Sequence, residues 1–206
     1  MFIDIILVIF SYLLGSVLFG VVGSKFLKGE DIRGKDNPGG SGSIRQYGWA
    51  WGISVGILDA LKGVLVGYLV TQYATTNLTL ILCGIGVVAG HNWPVYFGFR
   101  GGGGLAPTFG LSLFLFPREL LISAVPALLS APLYFYTKLP KYLPFVGPAP
   151  IMGAFAVLTL LVLVILGKGF YPYAILILAM GITLIIRGYT MYLRDKKRRK
   201  ELKSQN

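Results

Sequence analysis

Long apolar runs separated by short polar segments make up most of the chain, and this pattern predicts helices that cross a membrane. None of the runs alternates between apolar and polar residues as a barrel strand would. Inside a bilayer every backbone amide needs a partner within its own segment, which favours helices for runs of this length. The candidate runs cover residues 2–25, 49–71, 78–99, 104–116, 119–137, 148–166 and 171–193.

The fourth run, residues 104–116, is too short to cross ~30 Å of hydrocarbon at 1.5 Å per residue. We expect it to be half-buried against neighbouring helices, or tilted and re-entrant. The sequence therefore predicts an all-α integral membrane protein, a bundle of about seven transmembrane helices with one short member. The count falls to about six if the short helix does not cross.

The distribution of lysine and arginine predicts the orientation, because these residues collect in cytoplasmic loops. If the N-terminus lies outside, the outer side holds only Arg118 and Lys168. The inner side holds Lys25, Lys28, Arg33, Lys35, Arg45, Arg100, Lys138, Lys141 and the residues from Arg187 onward. We expect an outside N-terminus, a cytoplasmic C-terminus and multi-pass insertion in the cell membrane.

The composition excludes a water-soluble domain, since 55% of the 206 residues are hydrophobic and only 13% are charged. The formal net charge of +11 would suit nucleic acid, but the cations flank apolar runs and are interpreted as topology signals. We expect membrane lipids as partners and no nucleic acid. A single domain over residues 1–206 should end in a basic cytoplasmic tail from about residue 194, which anchors the last helix or contacts anionic headgroups.

The first polar segment, residues 29–48, combines glycines with basic and amide side chains and is called the first loop below. Its candidate ligands for phosphate are Arg33, Asn37 and Arg45. Glycines let successive backbone N–H groups converge on an anion, while arginines supply charge. The alternative interpretation is an ordinary flexible loop between two membrane helices.

Asp59 and Lys62 lie inside the second apolar run, three residues apart and therefore on one helical face. A charged side chain at this depth costs roughly 2.5 to 3.5 kcal/mol on insertion scales, so it is usually paired or functional. Two interpretations stay open, a structural ion pair between the two residues or a role of Lys62 toward an anion.

His91, the one histidine of the chain, lies in the third run, is expected near the membrane face, and is a candidate catalytic residue. An imidazole near the membrane surface can act as an acid, a base or a hydrogen-bond donor, whereas a purely structural hydrogen bond is the alternative. No carboxylate or cysteine cluster joins it, so no metal site is predicted. The glycines that follow are Gly101, Gly102, Gly103 and Gly104, called the glycine loop. Their amides could bind phosphate, or their small size could let helices approach closely.

Together these segments resemble the acyl-phosphate:glycerol-3-phosphate acyltransferase family (PlsY-type), small bacterial multi-span enzymes that start phospholipid synthesis. The matching motifs cover most of the chain: Leu14-Gly15-Ser16, Asp31-x-Arg33, Asn37-Pro38-Gly39, Arg45, Asp59-x-x-Lys62-Gly63, Gly90-His91-x-Trp93-Pro94 and Phe99-x-Gly101-Gly102. The resemblance implies acyl transfer from acyl-phosphate to the sn-1 hydroxyl of glycerol 3-phosphate, giving lysophosphatidate and phosphate without a cofactor. It also implies that Arg33, Asn37, Arg45, Lys62 and the glycine loop bind the substrate phosphates. The hydroxyl proton would go to His91 or, as we expect, to a substrate phosphate.

Several family positions carry other residues, so the chain resembles a divergent member. The family usually has Gly-Ser-Gly before the asparagine and Ala-Thr-Asn after the glycine, where this chain has Gly34-Lys35-Asp36 and Gly40-Ser41-Gly42. A family lysine is replaced by Gly103 and a threonine by Pro107, and no His-x-x-Asn-Ile-x-Arg motif follows Arg187. The alternative function is a catalytically impaired relative that binds lipid precursors or a partner enzyme. A small transporter is a third interpretation, although no paired inverted repeat is visible.

Overall fold

The computed structural model describes residues 1–137 and 148–204, and nearly all of them lie in helices. The helices are α1 (Phe2–Ser16), α2 (Phe19–Lys28), α3 (Gly40–Tyr47), α4 (Trp49–Tyr73), α5 (Asn77–Asn92), α6 (Leu105–Leu115), α7 (Pro117–Tyr136), α8 (Pro148–Lys168) and α9 (Ile175–Ser204). Short turns at Ile32–Gly34, Val95–Phe97 and Phe170–Ala174 connect some of them. The prediction of an all-α membrane fold is confirmed.

Five helical segments in the described part of the chain are long and apolar enough to cross a bilayer. They are Trp49–Tyr73, Asn77–Phe97, Pro117–Tyr136, Ile151–Lys168 and Phe170–Arg194. The pair α1 and α2 becomes a sixth if it is counted as one span bent by 41°. Helix α6 has only 11 residues and packs against α4, as expected for the short fourth run. The orientation of the bundle stays a prediction.

The first apolar run is broken, where the sequence pattern had predicted one continuous helix over residues 2–25. Val17 and Leu18 are extended between α1 and α2. Lys62 donates hydrogen bonds from Nζ to the carbonyls of Gly15 and Val17, at 3.2 and 2.7 Å. A lysine ammonium therefore satisfies backbone oxygens that the interrupted helix leaves free, which is what makes a break tolerable within a membrane.

Glycines set how closely the helices approach one another. Gly15 of α1 lies against the carbonyl of Val87 in α5, and Gly110 of α6 lies against the carbonyl of Ala60 in α4. A Cβ at either glycine would overlap the facing backbone. Without a hydrophobic driving force between helices in lipid, such close packing supplies much of the attraction. The α1–α5 and α4–α6 pairs are accordingly the most extensive contacts of the bundle.

The outer surface of the bundle is apolar, while several charged and polar side chains are buried within it. The exposed large side chains include Ile57, Leu61, Leu121, Leu129, Ile182 and Ile185. The buried polar side chains include Ser11, Asp59, Lys62, His91, Asn92 and Arg187. This distribution is that of a lipid-embedded protein, in which intramembrane ionisable groups face the interior and find partners there.

Candidate active site

Arg33 of the first loop contacts the turn Val95–Phe97, which precedes the glycine loop, at one end of the bundle. Its Nη1 donates a hydrogen bond to the carbonyl of Phe97 at 2.6 Å, and its guanidinium lies 5.2 Å from the centre of the Phe97 ring. On the other side Nε and Nη2 grip the Asp31 carboxylate at 2.9 and 2.6 Å. These hydrogen bonds lower the pKa of Asp31 to about 2. Two segments more than sixty residues apart are thus fixed to each other.

Asn37 brings the first loop against the glycine loop. A Cβ built on Gly103 would lie 3.9 Å from Asn37 Nδ2, and so would one built on Gly39. The side-chain oxygen of Asn37 is buried and has no hydrogen-bond partner in the described residues. Such a buried, unused acceptor is uncommon in folded proteins and marks a place where a further group can bind. Helix α3 begins three residues later, so its N-terminal turn lies beside this point.

The glycine loop uses two of its four amides within the protein. Gly101 N donates to the carbonyl of Asn92 at 3.2 Å, and Gly102 N donates to the carbonyl of His91 at 2.9 Å. We expected all four amides of the loop to orient phosphate, but the amides of Gly101 and Gly102 already donate to carbonyls of the protein. Over the described ranges, the amides of Gly103 and Gly104 make no hydrogen bond. They are the ones left for a ligand.

His91 lies beneath the glycine loop in a buried cluster with Lys62 and Asp59. Lys62 Nζ is 2.8 Å from Asp59 Oδ1 and 3.2 Å from His91 Nδ1, and His91 Nδ1 is 3.7 Å from the same carboxylate oxygen. All three side chains are almost inaccessible to solvent. The Lys62 ammonium therefore contacts the Asp59 carboxylate, the His91 ring and the two backbone carbonyls of the interrupted first run, all of them groups of the protein. This geometry favours the structural ion pair over the role toward an anion.

His91 also explains why residue 102 is glycine. A Cβ at Gly102 would overlap the imidazole at Nε2, Cδ2 and Cε1. The ring therefore packs directly under the loop, and its Nδ1 side faces Lys62. The contacts run in sequence from Asp59 and Lys62 to His91, and from His91 to the glycine loop.

Arg45 lies at the surface at the same end of the bundle. Its guanidinium contacts the Asp36 carboxylate at 2.9 Å from Nε and 2.6 Å from Nη2, and 58% of its side chain is exposed. Burial pushes the pKa of Asp36 upward, but the hydrogen bonds from Arg45 and the Asn37 amide outweigh it and lower that pKa. Since Asp36 precedes Asn37, Arg45 is tied to the segment that touches the glycine loop.

Cavities at the other end of the bundle lack this chemistry. One of about 510 Å³ opens between α4 and α5 and is lined by residues such as Val70, Asn77 and Tyr173, none of them charged. A second, of about 390 Å³, is mostly apolar and includes Asp4. The candidate active site is therefore placed at the loop end, where arginines, an unused amide oxygen and free N–H groups come together.

Comparison with known proteins decides the family. A family model described as glycerol-3-phosphate acyltransferase matches residues 5–195. The chain belongs to the glycerol-3-phosphate acyltransferase family. The resemblance inferred from the motifs is thereby confirmed.

Relatives in this acyltransferase family extend over most of the chain. Glycerol-3-phosphate acyltransferase 2 of Deinococcus radiodurans is 47% identical over 135 residues, covering 65% of this chain and 69% of its own length. The glycerol-3-phosphate acyltransferase of Halalkalibacterium halodurans is 35% identical over 185 residues, or 87% of this chain and 84% of its own. A crystal structure of PlsY (YgiH), an integral membrane glycerol 3-phosphate acyltransferase, in its glycerol 3-phosphate form superposes with a TM-score of 0.76. It is 28% identical and covers 95% of this chain and 93% of that one.

Two residues at this candidate site were missed by the sequence interpretation. Arg187, counted there only as a topology signal, is buried and donates to the carbonyls of Gly102 and Gly101. Asn92 is fully buried beside Gly104, and neither of its amide atoms has a hydrogen-bond partner among the described residues. A signal for Arg187 was present, because it falls inside the apolar run 171–193, where a cation is costly.

Proposed function

We propose that this protein transfers an acyl group from acyl-phosphate to the sn-1 hydroxyl of glycerol 3-phosphate, yielding 1-acylglycerol 3-phosphate and inorganic phosphate. The observation that carries the proposal is the proximity of Asn37 to Gly103, where an added Cβ would lie 3.9 Å from Asn37 Nδ2, so that the family's two polar motifs approach each other at one point. Membership of the family supports the acceptor substrate. The acyl-phosphate donor and the sn-1 position rest on the resemblance of the motifs.

The substrate phosphates bind, in this proposal, between the first loop and the glycine loop. The amides of Gly103 and Gly104 and Nδ2 of Asn37 donate hydrogen bonds to the phosphate, and Arg45 supplies charge. The unused Oδ1 of Asn37 can accept a hydrogen bond from a hydroxyl of glycerol 3-phosphate. A phosphate dianion can reach Arg45 and compete with Asp36 for it because 58% of the Arg45 side chain is exposed, and ion pairs in contact with water are weak. Arg33, already held by Asp31 and Phe97, fixes the distance between the loops.

The chemistry needs no covalent enzyme intermediate, because a mixed anhydride is already activated. The sn-1 oxygen attacks the acyl carbon, a new ester C–O bond forms, and the bond from that carbon to the phosphate oxygen breaks. The hydroxyl proton passes to a phosphate oxygen of the substrate, and inorganic phosphate leaves. The protein contributes orientation and electrostatic stabilisation of the charge that develops on the carbonyl oxygen.

His91 was predicted as the catalytic residue, but its geometry favours a structural role beneath the glycine loop. Its ring is buried under Gly102 and faces Lys62 with Nδ1. We propose that His91 and Lys62 set the height of the glycine loop above the membrane interior. The loop end, rich in arginine and lysine, then lies on the cytoplasmic side of the cell membrane.

Purified protein in detergent tests the proposal. Acyl-phosphate and labelled glycerol 3-phosphate should give labelled lysophosphatidate, and the same acyl group carried on coenzyme A should give none. Arg45→Ala should lower kcat/KM for the phosphate substrates by about 10- to 100-fold, the order expected for losing a charged hydrogen bond to a substrate. Hydrolysis of the product with a position-specific lipase identifies the acylated hydroxyl.

The impaired-relative alternative gives a different result in the same experiment. In that case glycerol 3-phosphate binds in a calorimetric titration, but no labelled lysophosphatidate forms above the level of membranes without the protein. Product from coenzyme A and not from acyl-phosphate would contradict the proposed donor while leaving the acceptor intact.

A further inference from the structure

Arg187 lies within α9, the last helix, and reaches across to the glycine loop. Its Nε donates to the carbonyl of Gly102 at 2.8 Å, and Nη2 donates to the carbonyl of Gly101 at 2.5 Å. Only 5% of the residue is exposed. We propose that Arg187 is a positioning residue that aims the free amides of the glycine loop at a substrate phosphate. This inference rests on the proposed function.

Peptide geometry gives Arg187 control over the direction of the Gly103 amide. In a trans peptide the C=O of one residue and the N–H of the next point in opposite directions within one plane. The C=O of Gly102 points at Arg187, so the N–H of Gly103 points away from α9. Gly103 is also the residue that lies beside Asn37 of the first loop. The guanidinium thus turns a hydrogen-bond donor outward at the proposed phosphate site.

The loop does not need Arg187 merely to stay folded. Its other face is held by the hydrogen bonds from Gly101 N to Asn92 and from Gly102 N to His91. A guanidinium gripping two carbonyls of a loop that is already anchored adds rigidity and direction to the next peptide. Rigid, pre-oriented donors are what an electrostatic site requires, because they need no reorganisation when the anion arrives.

The charge of Arg187 is also unusually placed. Among the described residues no aspartate or glutamate forms an ion pair with it, and its hydrogen-bond partners are backbone carbonyls. A buried cation compensated only by dipoles leaves positive potential at the loop, where an anion at the Gly103 amide would complete the pairing. The family's usual lysine is absent at Gly103. In this chain the nearby positive charge is that of Arg187, which belongs to α9 and not to the glycine loop itself.

Three variants of the full-length protein test the role of Arg187, each assayed for lysophosphatidate formation beside the wild type. Arg187→Gln should lower kcat/KM by about 100-fold, the effect of losing one pre-oriented donor at a reacting anion. Arg187→Lys keeps the charge but cannot hold two carbonyls in a fork, and should lose about 10-fold. Arg118→Gln, a surface arginine at the start of α7, is the matched control and should behave as wild type.

The split between KM and kcat separates positioning from simple stability. If Arg187 aims a phosphate-binding amide, KM for at least one phosphate substrate rises in Arg187→Lys while its melting temperature in detergent stays within about 3 °C of wild type. A merely structural role would lower the amount of active protein and leave both KM values unchanged, which overturns the inference. If Arg187→Gln does not fold, Arg187→Lys alone decides. An inactive wild type would refute the proposed function itself, whereas wild-type KM values in an active Arg187→Lys refute only the positioning role.

Discussion

Arg33 and Phe97 are sixty-four positions apart in the chain, yet the arginine donates to the phenylalanine carbonyl at 2.6 Å and lies over its ring. The same guanidinium is held by Asp31, so its position does not depend on a bound ligand. This contact sets the spacing between the two polar segments that carry the family's motifs. The spacing of the proposed phosphate site is therefore built into the protein before substrate binds.

Arg33→Ala should separate the two loops and weaken catalysis more than stability. It removes a charged hydrogen bond to Phe97, worth about 1.5 to 3 kcal/mol, and so should lower kcat/KM by about 10- to 100-fold. Lys25→Ala is the matched control, since Lys25 also pairs with Asp31, at 3.4 Å, but is half-exposed and does not contact Phe97. Steady-state kinetics and melting curves in detergent provide the measurement. Equal effects of the two substitutions would mean that the Asp31 pair, and not the link to Phe97, is what matters.

Gly102 and Gly103 are neighbours with opposite tolerance for a side chain. A Cβ at Gly102 overlaps the His91 ring, whereas a Cβ at Gly103 meets only Asn37 Nδ2 at 3.9 Å, an ordinary contact. Gly102→Ala should therefore cost about 1 to 3 kcal/mol of stability through overpacking and also displace the loop. Gly103→Ala should leave the melting temperature nearly unchanged. Thermal unfolding of the two variants side by side makes the comparison, and similar losses in both would show that His91 does not limit residue 102.

The fold could largely be predicted from the sequence because apolar periodicity and run length are local properties. The short α6 followed from counting the residues of the fourth run. The break at Val17 and Leu18 did not, because it is stabilised by Lys62, a residue forty-five positions away whose reach no local pattern reveals.

The residues of the candidate site could be predicted only where they belong to sequence motifs of the family. Asn37 and Gly103 were named from the sequence, and the structure brings them together. The sequence could not predict which amides of the glycine loop are free, because that depends on the hydrogen bonds from the loop to the carbonyls of His91 and Asn92. Arg187 was counted as a topology signal because charge patterns alone do not tell such a signal from a buried donor.

Gly103→Lys should strengthen substrate binding by restoring the cation that the family usually has at this position. The site can accept it, because a Cβ at Gly103 meets no atom nearer than 3.9 Å. One additional charge near a phosphate at a partly exposed site is worth about 1 kcal/mol, or a roughly fivefold lower KM. Gly103→Gln is the control of similar shape without charge. The gain should shrink as salt is raised, and an equal gain in Gly103→Gln would refute the electrostatic explanation.

Lys62→Met tests whether the buried lysine is structural or binds an anion. Removing the ammonium leaves the Asp59 carboxylate uncompensated in the bundle, and it leaves the Gly15 and Val17 carbonyls without a donor. Breaking a buried pair in this way costs about 3 to 5 kcal/mol, so the melting temperature should fall sharply. The double variant Asp59→Asn/Lys62→Met removes the stranded charge and should recover part of that loss, the signature of direct coupling.

If Lys62 instead bound phosphate, the double variant would be as stable as wild type but would show a raised KM for glycerol 3-phosphate. Because every contact of the ammonium lies within the protein, we expect the stability effect to dominate and KM per folded molecule to change little.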